Sequence, residues 1–265
     1  VVLSVTSALQ SQVVIKENAI QSKYAFPLVT SKAKAVVVYD TDDYLVVRKT
    51  AELFVSDVES VTGQQLRLTD KLKGDKEIII VGTVEKNRLI RQLAEKGKLD
   101  ISSLEGAWER FLIQTVSRPF PGVSKALVVA GSDRRGAAYG LFSLSEMMGV
   151  SPWYWWADAP IIKKDQLHLR VDKYISKEPT VKYRGIFIND EGWGITPWAA
   201  KTFDPELGDI GPNTYARVCE LILRMKGNML APAMHPGSGA FNKYPENKVV
   251  ADSYGIVMTL SLIHI

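Results

Sequence analysis

The sequence predicts an α/β protein built from two successive units, and three observations carry this prediction. Strand-like and helix-like patterns alternate along residues 31–150, as they do where helices cover a largely parallel sheet. A charged, extended stretch at residues 165–180 then separates this unit from the next one. Beyond it the pattern is β-α-β-α-β, with the continuous apolar strands that are typical of parallel sheets. We therefore place an N-terminal α/β domain at residues 1–178 and a second unit at residues 179–265.

The elements of the first unit follow from hydrophobic periodicity. Apolar residues at three- and four-residue spacing, such as Val47, Ala51 and Phe54, predict a first helix that ends at Gly63. Short apolar runs between turn signals predict strands at residues 35–40, 77–82, 110–116 and 125–131. The same periodicity predicts further helices at residues 85–96 and 134–148.

The second unit begins with a strand that stops abruptly in polar residues. The stretch KYRGIFINDEGWG contains this strand, at residues 184–188. Pro212 suits the first turn of the following helix, and Gly227 ends that helix. Further elements are predicted as a strand at residues 229–234, a helix at residues 245–254 and a strand at residues 256–260.

Composition limits the class of protein. The chain is 46% hydrophobic and 23% charged, which is ordinary for a globular protein. Its net charge of +4 comes from Lys and Arg spread along the sequence, so we predict no nucleic-acid partner. No apolar run approaches the roughly 20 residues that span a bilayer, so we predict no membrane partner.

Cysteine content and the N-terminus bear on location and cofactors. Cys219 is the sole cysteine, which excludes a disulfide framework and a cysteine metal cluster, and we predict neither a metal nor a cofactor. A lone cysteine fits the cytoplasm or a periplasm. Residues 1–11 are apolar and rich in small side chains, so they are either the trimmed end of a secretory signal or a first strand. We predict a periplasmic or extracellular location.

Two motifs of the first unit have both a functional and a structural interpretation. The turn GSDRRGAAYG follows a strand, as a phosphate-binding turn does, but it lacks the spacing of a dinucleotide site, and Ser132 or Asp133 as a helix N-cap explains the same letters. The run SPWYWWADAP at residues 151–160 could stack on sugars, yet packing within the core or between domains is favoured.

Four polar residues of the second unit follow strands. Asn189, Asp190 and Glu191 come after the first strand, and His235 comes after the second. Ligands of parallel α/β sheets and barrels bind at the carboxyl ends of the strands, and paired carboxylic acids can carry out glycoside hydrolysis. The adjacent carboxylates cannot supply both roles, because neighbouring side chains point in different directions. A purely structural role in capping the loop remains equally open.

Long motifs resemble a known family. The segments YRGIFINDEGWG, PWAAKTFDPELGDIGPNTYARVCELILRMKGNMLAPAMH and FNKYPENKVVADSYGIVM resemble the opening of the barrel of glycoside hydrolase family 115, the α-glucuronidases that remove (4-O-methyl-)glucuronic acid from xylan. The upstream segment AGSDRRGAAYGLFSLSEMMGVSPWYWWADAP resembles the N-terminal α/β domain of that family. The resemblance implies an α/β layer domain followed by the first β/α units of a truncated (β/α)8 TIM barrel.

The resemblance also implies a reaction and its residues. Family members act by inversion with two carboxyl groups. By position, Asp190 and Glu191 would be catalytic, with Asp190 either in the carboxylate set or its close support. Asn189, Trp193 and His235 would bind the substrate, which is glucuronoxylan or its oligosaccharides.

The length of the second unit gives a further expectation. The residues from 182 onward are far fewer than the roughly 250 of a complete barrel, and after Met258 the letters TLSLIHI no longer resemble the family. We therefore expect this chain to be inactive by itself, and its open strand edge to favour self-association into a homo-oligomer. The alternatives are a non-catalytic binding module for acidic glycans and, on the GSDRRG turn alone, a nucleotide-binding protein.

Overall fold

A computed structural model describes residues 12–232 and 235–259. Its strands are β1 (Val14–Lys16), β2 (Ala25–Val29), β3 (Val36–Val38), β4 (Arg67–Thr69), β5 (Glu77–Thr83), β6 (Phe111–Ser117), β7 (Lys125–Gly131), β8 (Leu167–Arg170), β9 (Lys173–Ile175), β10 (Gly185–Phe187), β11 (Met229–Ala231) and β12 (Val257–Met258). Its α-helices are α1 (Leu45–Thr62), α2 (Arg88–Glu95), α3 (Arg134–Met148), α4 (Thr196–Thr202), α5 (Pro212–Arg224) and α6 (Pro245–Ser253). The predicted leader or strand at residues 1–11 lies outside the described residues.

The first unit is built on a six-stranded sheet in the order β4-β3-β5-β7-β6-β9. Strands β4, β3, β5 and β7 are parallel, whereas β6 is antiparallel to both of its neighbours. Strands β3, β5, β6 and β7 confirm the four strands that hydrophobic runs predict. A separate antiparallel sheet, β1-β8-β2, lies outside those predictions.

Both faces of the six-stranded sheet are buried. Ile79 and Val81 of β5 belong to one core cluster together with residues of α1 and α3. Ile78 and Ile80 point to the opposite face and belong to a second cluster with residues of α2. Alternation along a strand thus supplies two hydrophobic layers, which explains why the strand reads as a continuous apolar run.

Helix α3 is buried around most of its surface. Glycines on the side facing the sheet allow close approach, because a Cβ on Gly140 would lie 2.5 Å from Cγ1 of Val129. On the other side α3 meets the second unit, where the Tyr139 hydroxyl donates a hydrogen bond to the carbonyl of Gly227 at 2.7 Å. Asp133 caps the helix by accepting from the amides of Arg135 and Gly136, which confirms the N-cap interpretation of the GSDRRG turn.

The second unit contains a three-stranded parallel sheet in the order β10-β11-β12. This order and direction confirm the predicted β-α-β-α-β pattern. Ile186 of β10 lies beside Leu230 of β11, which in turn pairs with Met258 of β12. The closure of these strands into a barrel stays a prediction.

Residues 165–180 differ from the predicted extended connection. They contain β8 and β9, which pair with strands of the first unit. Leu167 and Leu169 are fully buried and alternate with the polar residues His168 and Arg170, which is the period-two pattern of a half-buried strand. Helix α4 occupies a stretch in which apolar residues show no helical periodicity.

The aromatic run at residues 151–160 packs between the units, as the favoured interpretation predicts. Trp155 meets Trp198 of α4 with ring centroids 5.9 Å apart and Phe203 at 4.9 Å. Trp156 lies 5.7 Å from the same Trp198 ring. Arg217 of α5 adds a cation over the Trp155 ring at 4.9 Å.

A buried ionic group also joins the units. Arg224 of α5 donates to both carboxylate oxygens of Asp57 in α1 at 2.9 Å and to Glu220 at 2.8 Å. All three side chains are almost fully buried. Burial alone would lower the pKa of Arg224, but the two carboxylates outweigh it and raise that pKa. The guanidinium therefore stays charged inside the interface.

Candidate active site

The predicted site residues lie where β10 and β11 end. Asn189, Asp190 and Glu191 follow β10, and His235 follows β11. The two strands are parallel neighbours, with the Ile188 amide donating to the Ala231 carbonyl at 3.1 Å. Both polar segments therefore emerge at the same edge of the sheet.

Asp190 joins the two segments. Its side chain is buried, with 2% of the residue exposed. Oδ2 accepts a hydrogen bond from the His235 amide at 2.8 Å and another from the Ser238 hydroxyl. The backbone carbonyl of Asp190 accepts from the Thr196 hydroxyl at the start of α4. This carboxylate thus holds the segment after β11 against the segment after β10.

Glu191 is placed differently from its neighbour. The residue is half-buried, and its Oε2 is buried without a hydrogen-bond partner among the described residues. Most buried polar atoms in proteins are hydrogen-bonded, so an unpaired carboxylate oxygen retains its full capacity to accept a bond from a ligand or water. The adjacent carboxylates therefore have different environments, as strand alternation leads one to expect.

A tight turn presents Asn189 and Trp193. The backbone carbonyl of Asn189 accepts a hydrogen bond from the Ile195 amide at 2.9 Å, and the backbone carbonyl of Glu191 accepts one from the Gly194 amide at 2.7 Å. A Cβ on Gly194 would lie 2.3 Å from the Asn189 carbonyl oxygen, so the turn requires a glycine there. Asn189 is exposed, and Trp193 is 76% exposed. The turn leaves an amide and an indole facing solvent beside Glu191.

His235 is exposed and is fixed by its own turn. Its Nδ1 accepts from the Gly237 amide at 3.0 Å, which places the proton of the neutral imidazole on Nε2. The structure therefore brings His235 together with Asp190 through the backbone of His235, and leaves the imidazole available to a ligand.

Sequence reasoning missed Asp209, which organises the same region. Its carboxylate accepts from the Gly239 amide at 3.1 Å, Lys243 Nζ at 3.2 Å and the Tyr244 hydroxyl at 3.1 Å. Burial would raise the pKa of this carboxyl, but the hydrogen bonds, including one from the Ile210 amide, outweigh it and hold the pKa below its usual range. No spacing signal marks Asp209, because Gly239, Lys243 and Tyr244 lie 30 to 35 residues further along the chain.

Neither a metal cluster nor a membrane helix is found in the described part of the chain. No three His, Cys, Asp or Glu side chains there are grouped so that they could hold a metal ion. No helix within residues 12–232 and 235–259 has the length and apolarity needed to cross a bilayer.

The opposite ends of the strands are held by a second polar network. The Glu109 carboxylate, fully buried, accepts from Arg135 at 2.5 Å, from Asn228 at 2.6 Å and from Arg184. Arg184 and Asn228 immediately precede β10 and β11. Arg135 also donates to the carbonyl of Gly255 at 3.0 Å, shortly before β12. The first unit thus fixes the amino ends of β10, β11 and β12. The candidate site lies at the opposite, carboxyl ends of these strands.

Comparison with known proteins found a family match and a similar solved structure. Residues 176–264 match the family described as Glycosyl hydrolase family 115, so the expectation that the resemblance ends at Met258 is wrong. The chain is 36% identical to the structure of a family GH115 4-O-methyl-α-glucuronidase, BtGH115A, with specificity for decorated arabinogalactans. That match has a TM-score of 0.75 and covers 89% of this chain and 29% of that enzyme.

A more distant structure supports the fold alone. The structure named CpGH84D matches 95% of this chain and 36% of its own length, with 13% identity and a TM-score of 0.52. Comparison with curated protein sequences gave no match. The chain therefore spans only about a third of the solved proteins it resembles.

Proposed function

The chain belongs to glycosyl hydrolase family 115, and from this membership we propose that its protein removes glucuronic acid side chains from a polysaccharide by an inverting, two-carboxylate mechanism. Because the chain spans 29% of its family relative, the proposal concerns a protein that contains the whole family region. Within this proposal β10, β11 and β12 begin an eight-stranded barrel, and the protein acts in the periplasm or outside the cell.

The observation that carries the proposal is the contrast between the two carboxylates after β10. Asp190 is buried and accepts from the segment after β11, whereas Glu191 has a buried oxygen without a partner among the described residues. A group that transfers a proton must have an oxygen within hydrogen-bond reach of the reacting atom, and an oxygen without a protein partner is free to take that position. We assign that role to Glu191, and we assign Asp190 the support of the loop that carries His235.

The remaining residues of the edge suit a sugar acid. Asn189 offers an amide to hydroxyl groups, and the exposed face of Trp193 suits stacking on a sugar ring. His235 offers an imidazole N–H to a carboxylate or hydroxyl oxygen. None of these side chains takes part in the aromatic cluster between the units, which uses Trp198 instead.

Inversion requires a second carboxyl group, on the order of 6.5–9.5 Å from the first, with a water molecule between them. Asp190 does not fill that role in this proposal, since its carboxylate is occupied by the loop. Within this proposal the second carboxyl group lies in the part of the family relative that this chain does not cover. We therefore propose that the 265-residue chain binds substrate weakly and releases no glucuronic acid.

The polysaccharide that carries the glucuronic acid is a further part of the proposal. The sequence resemblance favours glucuronoxylan. The structural relative has specificity for decorated arabinogalactans, so this class is the second substrate to test.

The test uses a protein that spans the whole family region, assayed for glucuronic acid release from both polysaccharides. We expect Glu191→Gln to lower kcat at least about a hundredfold, because it removes the titratable group. Glu206→Gln, an exposed glutamate in the same unit, serves as the matched control and should retain full activity. Binding of the glycan without any release by the parent protein would instead favour the non-catalytic module. Full activity of Glu191→Gln would refute the assignment of its role.

A further inference from the structure

A groove on the first unit lies far from the candidate active site. It has a volume of about 660 Å³ and is formed by the end of α2 and the turn between β6 and β7. Its lining includes Lys96, Lys98, Arg118 and Phe120, together with the rest of the turn up to Ser124. The charged members of this lining are all cations.

The floor of the groove is held in place by hydrogen bonds. Lys98 Nζ donates to the carbonyl of Arg118 at 2.6 Å and to that of Pro119 at 3.3 Å. The turn itself is closed by the Arg118 amide, which donates to the Ser124 carbonyl at 2.9 Å. Lys98 therefore has a structural task, while no hydrogen bond or ion pair among the described residues engages the side chains of Lys96 and Arg118.

An aromatic ring lies beside these cations. Phe120 is half-buried, and Lys96 Nζ lies 5.8 Å from the centre of its ring. The nearby carboxylate of Asp100 does not neutralise the groove, because it pairs with Lys173 at 2.7 Å. Free cations next to an apolar ring form a surface that suits a sugar carrying a carboxylate, which needs both a counter-charge and a flat apolar contact.

The direction of the strands separates this groove from the candidate active site. The groove lies at the amino end of β7, next to Lys125, whereas α3 begins beyond the carboxyl end at Gly131. The start of α3 contacts the second unit through the hydrogen bond from Arg135 to Gly255. Seven residues of extended strand, roughly 20 Å, separate the groove from this contact.

We propose that this groove is a second, non-catalytic binding site for a carboxylate-bearing polysaccharide, in which Lys96 and Arg118 pair with uronate groups and Phe120 contacts a sugar ring. The choice of a uronate polymer as the ligand rests on the proposed function. Such a site keeps the protein attached to the polymer whose side chains the distant site removes.

The test uses the 265-residue chain itself in native affinity electrophoresis through gels that contain glucuronoxylan. A double variant, Lys96→Glu with Arg118→Glu, reverses both free cations and leaves Lys98 in place. Its matched control is Lys32→Glu with Lys248→Glu, which makes the same change of charge at exposed positions outside the groove. We expect the groove variant to bind at least about tenfold more weakly and the control to bind like the parent chain.

A second comparison uses glucuronoxylan whose carboxyl groups have been reduced to alcohols. Retardation of the parent chain should be lost on that polymer, and raising the salt concentration should weaken it on the acidic one. Equal binding of parent and groove variant, or equal binding to the reduced polymer, would overturn the proposal. Failure of the proposed function would show separately, as an absence of glucuronic acid release by the longer protein.

Discussion

The Glu109 network makes a strong prediction about stability. Glu109 is fully buried and is the common acceptor for Arg135, Arg184 and Asn228. Glu109→Gln keeps the volume of the side chain but removes its charge, and it turns one end of the group into a hydrogen-bond donor. Two guanidinium groups would then face a neutral amide, part of which repels their N–H groups.

The magnitude follows from burial. The side chains of Arg135 and Arg184 are only 19% and 24% exposed, so solvent screens the lost interaction weakly. Breaking a buried ion pair by removing one charge costs about 3–5 kcal/mol. No cavity is created, so we expect a loss of about 3 kcal/mol in the free energy of unfolding.

Urea unfolding followed by circular dichroism measures this loss. The matched control is Glu105→Gln, an exposed glutamate four positions earlier, which should change stability by less than about 0.5 kcal/mol. If Glu109→Gln unfolds within about 0.5 kcal/mol of that control, the network does not fix the amino ends of β10 and β11 as we infer.

Three further predictions concern the site region and the core. Asp209→Asn should lower stability by about 1–2 kcal/mol at neutral pH. The pKa of Asp209 in the folded state lies below its usual value, so the difference in stability between the parent chain and the variant should persist above about pH 4 and disappear as the pH falls through the folded pKa. Urea titrations at successive pH values measure this difference, and a difference that grows in acid would contradict the prediction. Trp198→Ala should lower the free energy of unfolding by about 2 kcal/mol, because three aromatic rings pack on this side chain. Substitution of the more exposed Trp193 by Ala should lower it by less than about 0.5 kcal/mol in the same thermal or urea unfolding, and equal losses would refute the distinction. Cys219 is fully buried, and burial raises the pKa of its thiol to about 12. A thiol reagent should therefore label Cys219 only after the chain unfolds, and rapid labelling of the native chain would contradict this prediction.

Much of the fold could be predicted from local pattern. Strands such as β5 and β7 are apolar on both faces, and helices such as α1 end at a glycine. Hydrophobic periodicity and the residues that end each element therefore locate them. The pairing of the short strands β8 and β9 could not be predicted in this way. Leu167 and Leu169 alternate with polar residues as a strand does, but the strands that pair with β8 and β9 lie far away in sequence, and no local pattern encodes that pairing.

The candidate site was predictable in place but not in detail. The end of an apolar strand at Asn189 marks where a parallel sheet offers its ligand-binding edge. The different environments of Asp190 and Glu191 depend on where the segment after β11 returns, and no local pattern encodes that return. Asp209 was missed for the same reason.

Local sequence patterns predict the α/β class, the buried strands, the helix caps and the position of the polar edge, because each depends on neighbours a few residues apart. Contacts between distant segments determine that Asp190 holds a loop while Glu191 keeps an oxygen without a partner among the described residues. They also determine that Trp198 packs against the aromatic run while Trp193 faces solvent, and that Glu109 joins the first unit to the strands of the second. These outcomes depend on contacts between residues that are distant in the chain, and the free energy of burying charge is set by those contacts rather than by residue type.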